Sequence, residues 1–322
     1  MKSFNISAEL GKGERLDAFL AKQTKGVSRT KVKKMISQGL VLVNGVIAKP
    51  SFQLEGTENV SYSILPINGD SLDLNPENIP LEVLFEDDEI IALNKQAGIT
   101  VHPGAGKPSG TLANGLLFHF NKLSDVNGNF RPGIVHRLDK DTSGAILIAK
   151  NNSAHANLSK QFERRLIKKK YYAIAWGELR NEKGEIDAPI ARGKKDPTSY
   201  VVDSKGKEAK TLFQSNLLGH YASEVSFYPE TGRTHQIRVH SSSIGNPIFG
   251  DEKYGGGISR SRGYIPEVSK KLLKLLQSFR RHALHAEQIT FIHPKIKKQM
   301  TVTAKLPKDL KMLKKNLGNI HD

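Results

Sequence analysis

The stretch Gly133-Ile-Val-His-Arg-Leu-Asp-Lys-Asp-Thr-Ser-Gly144 runs directly into Ala145-Ile-Leu-Ile-Ala149. The second run is apolar, too short for a helix, and reads as a buried strand. The first is a polar loop bounded by glycines, with Ile134 and Val135 leading in. A loop carried on a buried strand lifts polar side chains above a rigid sheet. Asp139 stands in it beside His136, Arg137 and Lys140, which would hold a carboxylate ionised, the state a carboxylate nucleophile needs. The plain alternative is a hairpin turn whose two aspartates satisfy backbone amides.

Outward from this loop, Leu81-Glu-Val-Leu-Phe85 and Glu89-Ile-Ile-Ala-Leu93 read as strands around an acidic turn, and many short strands follow. Residues 81–306 are expected to form a sheet-rich domain with interspersed helices. Before them, 66–80 carries three prolines and no periodicity, and reads as a linker. At the front, Leu16, Phe19 and Leu20, then Val32, Met35 and Ile36 after a Ser28 cap, mark two short helices. Asn44-Gly45 between Val41-Leu-Val43 and Val46-Ile-Ala48 marks a type I′ hairpin. Residues 1–65 therefore read as a helix, helix, hairpin module, and the fold class as α+β. The glycines from Gly255 through about Pro266 read as a flexible insertion. Residues 307–322 read as a basic tail with a possible amphipathic helix.

The chain has 322 residues, 38% of them apolar, enough for roughly two domains at about 150 residues each. Its formal net charge is +17, a field that attracts polyanions, nucleic acid first among them. No stretch approaches the roughly 18 apolar residues of a membrane span, and residues 1–13 lack the apolar core of a signal peptide, so a cytoplasmic protein is expected. There is no cysteine, which excludes disulfides, thiolate metal sites and cysteine nucleophiles.

Charge and aromatic surface coincide elsewhere too. Arg29, Lys31, Lys33 and Lys34 surround the apolar stripe of the second helix and form a face for phosphates, or simply a solvated one. Arg164, Arg165 and Lys168 open a run of cations ending at Tyr171 and Tyr172. Cations contact phosphate and a tyrosine ring stacks on an extruded base, although both rings could equally be core. Gly232-Arg-Thr-His-Gln-Ile-Arg-Val-His240 reads as a strand, with Arg233, His235, Ile237 and Val239 on one face. Arg233 is then a candidate bidentate partner for Asp139, or simply a surface arginine in solution. Asp139-Lys-Asp141-Thr142 also fits the magnesium-dependent Asp-x-Asp-x-Thr pattern of haloacid-dehalogenase-like phosphatases, a short pattern that His136 and Arg137 interrupt. Gly104-Ala-Gly-Lys107 resembles a phosphate loop, but Pro108 follows where Ser or Thr belongs.

Taken together, the chain resembles an RluA/RluD-type pseudouridine synthase over nearly its whole length. Four motifs carry the resemblance: 84–104, with Asn94-Lys95, Gly98 and His102-Pro-Gly104; His136-Arg-Leu-Asp-Lys-Asp-Thr-Ser-Gly144; Lys169-Lys-Tyr-Tyr-Ala-Ile-Ala-Trp-Gly177; and 232–240. Gln96 departs from the family's usual proline. The front module is similar to the alpha-L, ribosomal-protein-S-four-like RNA-binding domain. The resemblance implies that Asp139 is nucleophile or base, that Arg233 pairs with it, and that Tyr171 touches the uracil ring. Arg137, His136 and Ile237 become the expected substrate contacts. It further implies an RNA partner, ribosomal first and transfer RNA second, with no cofactor, no metal and no membrane, in a monomer. Uridine isomerisation breaks the N1–C1′ bond and joins C5 to C1′, which needs no redox step and no group donor.

Overall fold

Residues 2–24, 29–64, 74–104, 109–126 and 131–320 are described by the computed structural model, in which the chain forms two units, Met1–Asp73 and Leu74–Asp322. The first contains β1 (Lys2–Ser7), α1 (Leu16–Gln23), α2 (Arg29–Ser37), β2 (Val41–Val43), β3 (Val46–Ile47) and β4 (Asn59–Ile64), with the strands ordered β1-β4-β2-β3. The spacing of the apolar residues dictates the helices' packing. Leu16, Phe19 and Leu20 of α1 and Val32, Met35 and Ile36 of α2 are buried against Val41 and Val60 of the sheet. Asn44 and Gly45 both adopt positive φ, 50° and 79°, as the type I′ turn between β2 and β3 requires. The expected Ser28 cap lies outside the described residues.

The second unit contains β5 (Glu82–Glu86), β6 (Ile90–Lys95), α3 (Leu112–His119), β7 (Ser143–Ala149), α4 (Asn152–Glu163), β8 (Lys168–Trp176), β9 (Lys183–Asp187), β10 (Ile190–Arg192) and β11 (Tyr200–Val202). It continues with β12 (Lys210–Leu218), β13 (Ala222–Pro229), α5 (Gln236–Ser243), α6 (Pro266–Ser278), β14 (Leu284–Ile292), β15 (Gln299–Thr303) and α7 (Lys308–Gly318). Nine strands form one sheet in the order β5-β6-β7-β14-β8-β13-β12-β9, with β15 added on β14. All pairings are antiparallel except that of β7 with β14. The α+β class is therefore as expected.

Strand β7 is buried at every position because the sheet is covered on both faces. Ile146 and Ile148 pack with Ile91, Leu93, Leu112 and Leu116 on one side. Ala145, Leu147 and Ala149 pack with Ile90, Ala92 and Leu158 on the other. That two-sided burial is why the segment reads as an unbroken apolar run. Among the described residues, no helix is long and apolar enough to cross a membrane.

Three expectations need correction. Residues 232–240 are not a strand: Gln236–Ser243 is helix α5. The buried Gln236 starts it, its amide oxygen accepting from Thr231 Oγ1 (2.6 Å) and Arg233 N (2.9 Å) while its Nε2 donates to Lys210 O (3.0 Å). The glycine-rich segment after Gly255 is an ordered part of the core rather than a flexible insertion. Trp176 Nε1 donates to Gly256 O at 2.8 Å, and 258–263 coils into a 3₁₀ helix. The basic tail is also incorporated, because Leu310, Leu313 and Leu317 of α7 lie one helical turn apart and are buried in the main core.

Candidate active site

The loop before β7 is fixed from several directions. Gly144 sits at φ 119°, and a Cβ there would come within 2.2 Å of Ala286 O on β14, so only glycine lets the loop enter the sheet. Lys95, at the end of β6, is 2% exposed and donates its ammonium to Gln96 O (2.8 Å), Ile99 O (2.9 Å) and Lys140 O (3.0 Å). Burial pulls it down to about 7, against the pull of Asp141 and Asp139. Thr142 Oγ1 meets His282 Nε2 at 2.8 Å, and Arg281 Nη1 donates to Asp141 O at 3.1 Å. The loop backbone is thus tied to β6 and to the segment entering β14, and Asp139 is presented at a set point.

Asp139 opens into a cavity of about 580 Å³ whose wall includes Arg137, Leu138, Tyr171, Ile237 and Leu284. Its side chain is 17% exposed, and its Oδ2 accepts from Arg238 Nη1 at 3.0 Å. The arginine partner is therefore Arg238, not Arg233. Helical spacing accounts for the correction. His235, which precedes α5 in a left-handed conformation (φ 55°), and Arg238 are three residues apart, so both face Asp139, at 3.9 and 3.0 Å. Arg233 lines the same cavity but its Nε donates to Glu208 O at 2.9 Å.

His136 is not a cation beside Asp139. Its Nε2 accepts the Leu147 amide of β7 at 2.8 Å and its ring lies against Phe162, with centroids 4.7 Å apart. Burial, helped by Lys169, lowers it to about 3. Only a neutral imidazole can accept there, so the ring completes the edge of β7. His235 is also lowered by burial, which Asp139 only partly offsets, and its Nδ1 meets the Tyr254 hydroxyl at 2.7 Å.

Alternation along β8 settles the tyrosines. Tyr171 faces the cavity, and Tyr172 faces away to donate to Glu224 Oε1 at 2.6 Å. Burial, then the nearby Asp139 charge, pushes the Tyr171 hydroxyl well above its usual range, so it keeps its proton. Lys169, also on the cavity wall, donates to Thr231 O at 3.0 Å and is lowered by burial to about 8. Of the neighbouring cations, Arg164 and Lys168 are exposed, while Arg165 at the cavity rim forks onto Glu208 at 3.1 and 3.2 Å.

In the first unit, Arg29 and Lys33 bond the buried Asp17, at 3.0 and 3.5 Å, with about half of each side chain exposed. Part of the expected phosphate face is thereby neutralised within the module. The side chains of Lys31 and Lys34 lie outside the described residues.

A family model described as RNA pseudouridylate synthase matches residues 89–243, and one described as the S4 domain matches 14–60. A protein of Zymomonas mobilis named ribosomal large subunit pseudouridine synthase D is 41% identical over 311 residues, covering 95% of this chain and 94% of its own. An uncharacterized RNA pseudouridine synthase of Bacillus subtilis is 39% identical over 318 residues, covering 98% and 99%. The chain belongs to the RNA pseudouridine synthase family. It is a pseudouridine synthase of the RluA/RluD type, an isomerase, with an S4 RNA-binding domain at its N-terminus. The solved structure of human RNA pseudouridylate synthase domain containing 1 shares the fold, with a TM-score of 0.54 at 23% identity, covering 75% of this chain and 87% of that one.

Sequence reasoning did not single out several residues that the structure gathers around Asp139 and its cavity: Arg238, Asp251, Tyr254, His235, Lys95 and Lys169. A signal for the first was available. Gly245, with φ 86°, stops α5, and a glycine five residues past His240 argues for a helix through 236–243 rather than a strand. Asp251 and Tyr254 border the segment read as a flexible insertion.

Proposed function

We propose that this synthase isomerises uridines of large-subunit ribosomal RNA, with Asp139 acting on a uridine turned out of its stack. The carrying observation is Asp139 itself, held by a single N–H of Arg238 at 3.0 Å and open to a cavity. The cavity's roughly 580 Å³ lies within the range of about 300–1,000 Å³ common for small-molecule sites, and it suits one nucleotide. The ribosomal target is supported by relatives named for it, including a Pasteurella multocida protein 39% identical over 314 residues.

Extruding a base costs a few kcal/mol, which contacts must offset. Tyr171 contacts the uracil ring as a protonated phenol, Ile237 and Leu284 wall it, and the exposed Arg137 enters the vacated stack. Arg164, Lys168 and Arg233 contact phosphate. In the reaction the N1–C1′ bond breaks, the ring turns, C5 joins C1′, and the proton leaving C5 is balanced by one gained at N1. Substrate and product hold the same atoms.

Mapping pseudouridine in ribosomal and transfer RNA from cells lacking the protein tests this reading. Loss of specific large-subunit sites, restored by the wild-type gene and not by Asp139→Asn, is expected. Loss confined to transfer RNA would overturn the ribosomal assignment.

A further inference from the structure

Helices α6 and α7 touch, and both bury one apolar stripe in the main core: Val268, Leu272 and Leu276 on α6, Leu310, Leu313 and Leu317 on α7. A helix turns about 100° per residue, so the sides opposite those stripes carry Lys270, Lys271 and Lys274 on α6 and Lys308, Lys311 and Lys315 on α7. All six side chains are exposed. The flanks of α7 are paired with the body of the protein: Lys314 bonds Glu224 at 2.7 Å, and Asp309 receives the fork of Arg281 at 2.7 and 3.2 Å. The six outward lysines have no carboxylate partner among the described residues, and none of them lines the Asp139 cavity. Among the described residues of the two outward sides, Glu267 in the first turn of α6 is the one acid.

We propose that this two-helix face is a second RNA-docking surface, which receives the sugar-phosphate backbone of folded RNA outside the target nucleotide. The inference rests only on the substrate being RNA, and not on which uridine Asp139 acts upon.

Three observations carry it. The first is uncommitted charge. In the S4 domain Arg29 and Lys33 are bonded to Asp17, whereas here six unpaired cations stand against one acid, and such a field attracts a polyanion. The second concerns the class of partner. An amphipathic helix that lies on a bilayer offers its apolar side to lipid, and in α6 and α7 that side is sealed in the core. Met312, 65% exposed, is the one large apolar side chain that α7 turns outward among the described residues. What faces solvent is charge, which suits phosphate. The third is the link to the site. Arg281, which forks onto Asp309 in the first turn of α7, also donates Nη1 to Asp141 O at 3.1 Å, two residues from Asp139. One guanidinium therefore ties the α7 stripe, which spans about 10 Å of helix axis from Lys308 to Lys315, to the Asp139 loop. RNA held on the stripe is set in a fixed relation to that loop.

The test measures binding of the full-length protein to a long folded fragment of large-subunit ribosomal RNA and to a short stem-loop excised from it, each over a series of salt concentrations. Two triple variants, Lys270→Gln/Lys271→Gln/Lys274→Gln and Lys308→Gln/Lys311→Gln/Lys315→Gln, are set against the wild type. Lys295→Gln/Lys297→Gln/Lys298→Gln, in the turn between β14 and β15, controls for net charge. All nine side chains are exposed, so thermal melts should match the wild type. On the long RNA each of the first two triples is expected to weaken affinity about tenfold at moderate salt and to lower the slope of log affinity against log salt by about 2. On the stem-loop, too short to span both surfaces, they should stay within about twofold, as should the control on either RNA. Phosphate contacts carry no sequence information, so the outcome is independent of which uridine is modified. Wild-type affinity and slope for both triples on the long RNA overturn the proposal. An equal loss on the stem-loop, or in the control, also overturns it by reducing the effect to net charge. Binding of anionic phospholipid vesicles that both triples abolish, with long-RNA affinity kept, would overturn it in favour of a lipid surface.

Discussion

Each unit of the molecule sets an aspartate among cations, and the two arrangements differ in what they leave open. Asp17 of the S4 domain has a side chain with no exposed surface and receives Arg15 at 3.1 and 3.3 Å, Arg29 at 3.0 Å and Lys33 at 3.5 Å, so both of its oxygens are occupied. Burial pushes its carboxyl upward, but Arg15 and Arg29 prevail and hold it well below the usual carboxylate range. Asp139 is 17% exposed and takes one N–H of an arginine that another acid already holds. More cations surround the structural acid than the acid proposed to react. What marks Asp139 is an oxygen left facing a cavity large enough for a nucleotide, together with a partner fixed by something else.

The sharpest contrast should come from removing each acid. Asp139→Asn should abolish pseudouridine formation, by about a thousandfold or more, while RNA affinity changes little. Retained activity would break the comparison at its reactive end. Asp17→Asn should leave turnover on bound RNA unchanged but destabilise the S4 domain by about 1–3 kcal/mol, a reduced figure because the three cations left behind are half exposed. Its pH dependence has a definite sign. The folded-state pKa is lowered, so the stabilisation is complete above the unfolded value near 4 and is lost as pH falls through the folded value. Denaturant midpoints should therefore drop below about pH 4 in the wild type and less so in Asp17→Asn; parallel curves would contradict the assignment.

Lys95→Met removes three bonds to loop carbonyls, and about a tenfold slower turnover with unchanged RNA affinity is expected from a loosened Asp139. The smallest effect belongs to the exposed cations Arg164 and Lys168. Arg164→Ala and Lys168→Ala should each weaken binding uniformly across RNA sequences and lower the slope of log affinity against log salt by about 1. A salt-independent affinity would remove phosphate contact from the account.

Legibility in the sequence followed the physics of each segment. The double-faced burial of β7 and the Asn44-Gly45 turn were readable because local pattern determines them: an unbroken apolar run in one case, a left-handed dipeptide in the other. The motif around Asp139 was readable as a loop on a strand. The partner of Asp139 was not, because 232–240 alternates apolar residues over a span too short to separate strand from helix, and the buried amide of Gln236 decides the matter through contacts with Lys210 and Thr211. His136 looked like a cation because its sequence neighbours are basic, whereas its burial and the acceptor role for Leu147 appear only in three dimensions. The glycines after Tyr254 suggested flexibility, and it is the indole of Trp176, some 80 residues earlier, that ties them down. Local composition reports what a segment can do alone, and long-range hydrogen bonds reassigned each of these three.

The most direct test of the central claim sets Arg238→Lys against Arg233→Lys in single-turnover isomerisation of one saturating RNA. A lysine carries the charge but cannot serve Asp139 and Asp251 together through three fixed N–H groups, so Arg238→Lys should lose about a hundredfold in rate with its affinity unchanged. Arg233→Lys, which alters only a contact to Glu208 O and the cavity rim, should stay within a few-fold of wild type. The opposite ranking, with Arg233→Lys inactive and Arg238→Lys near normal, would contradict the account.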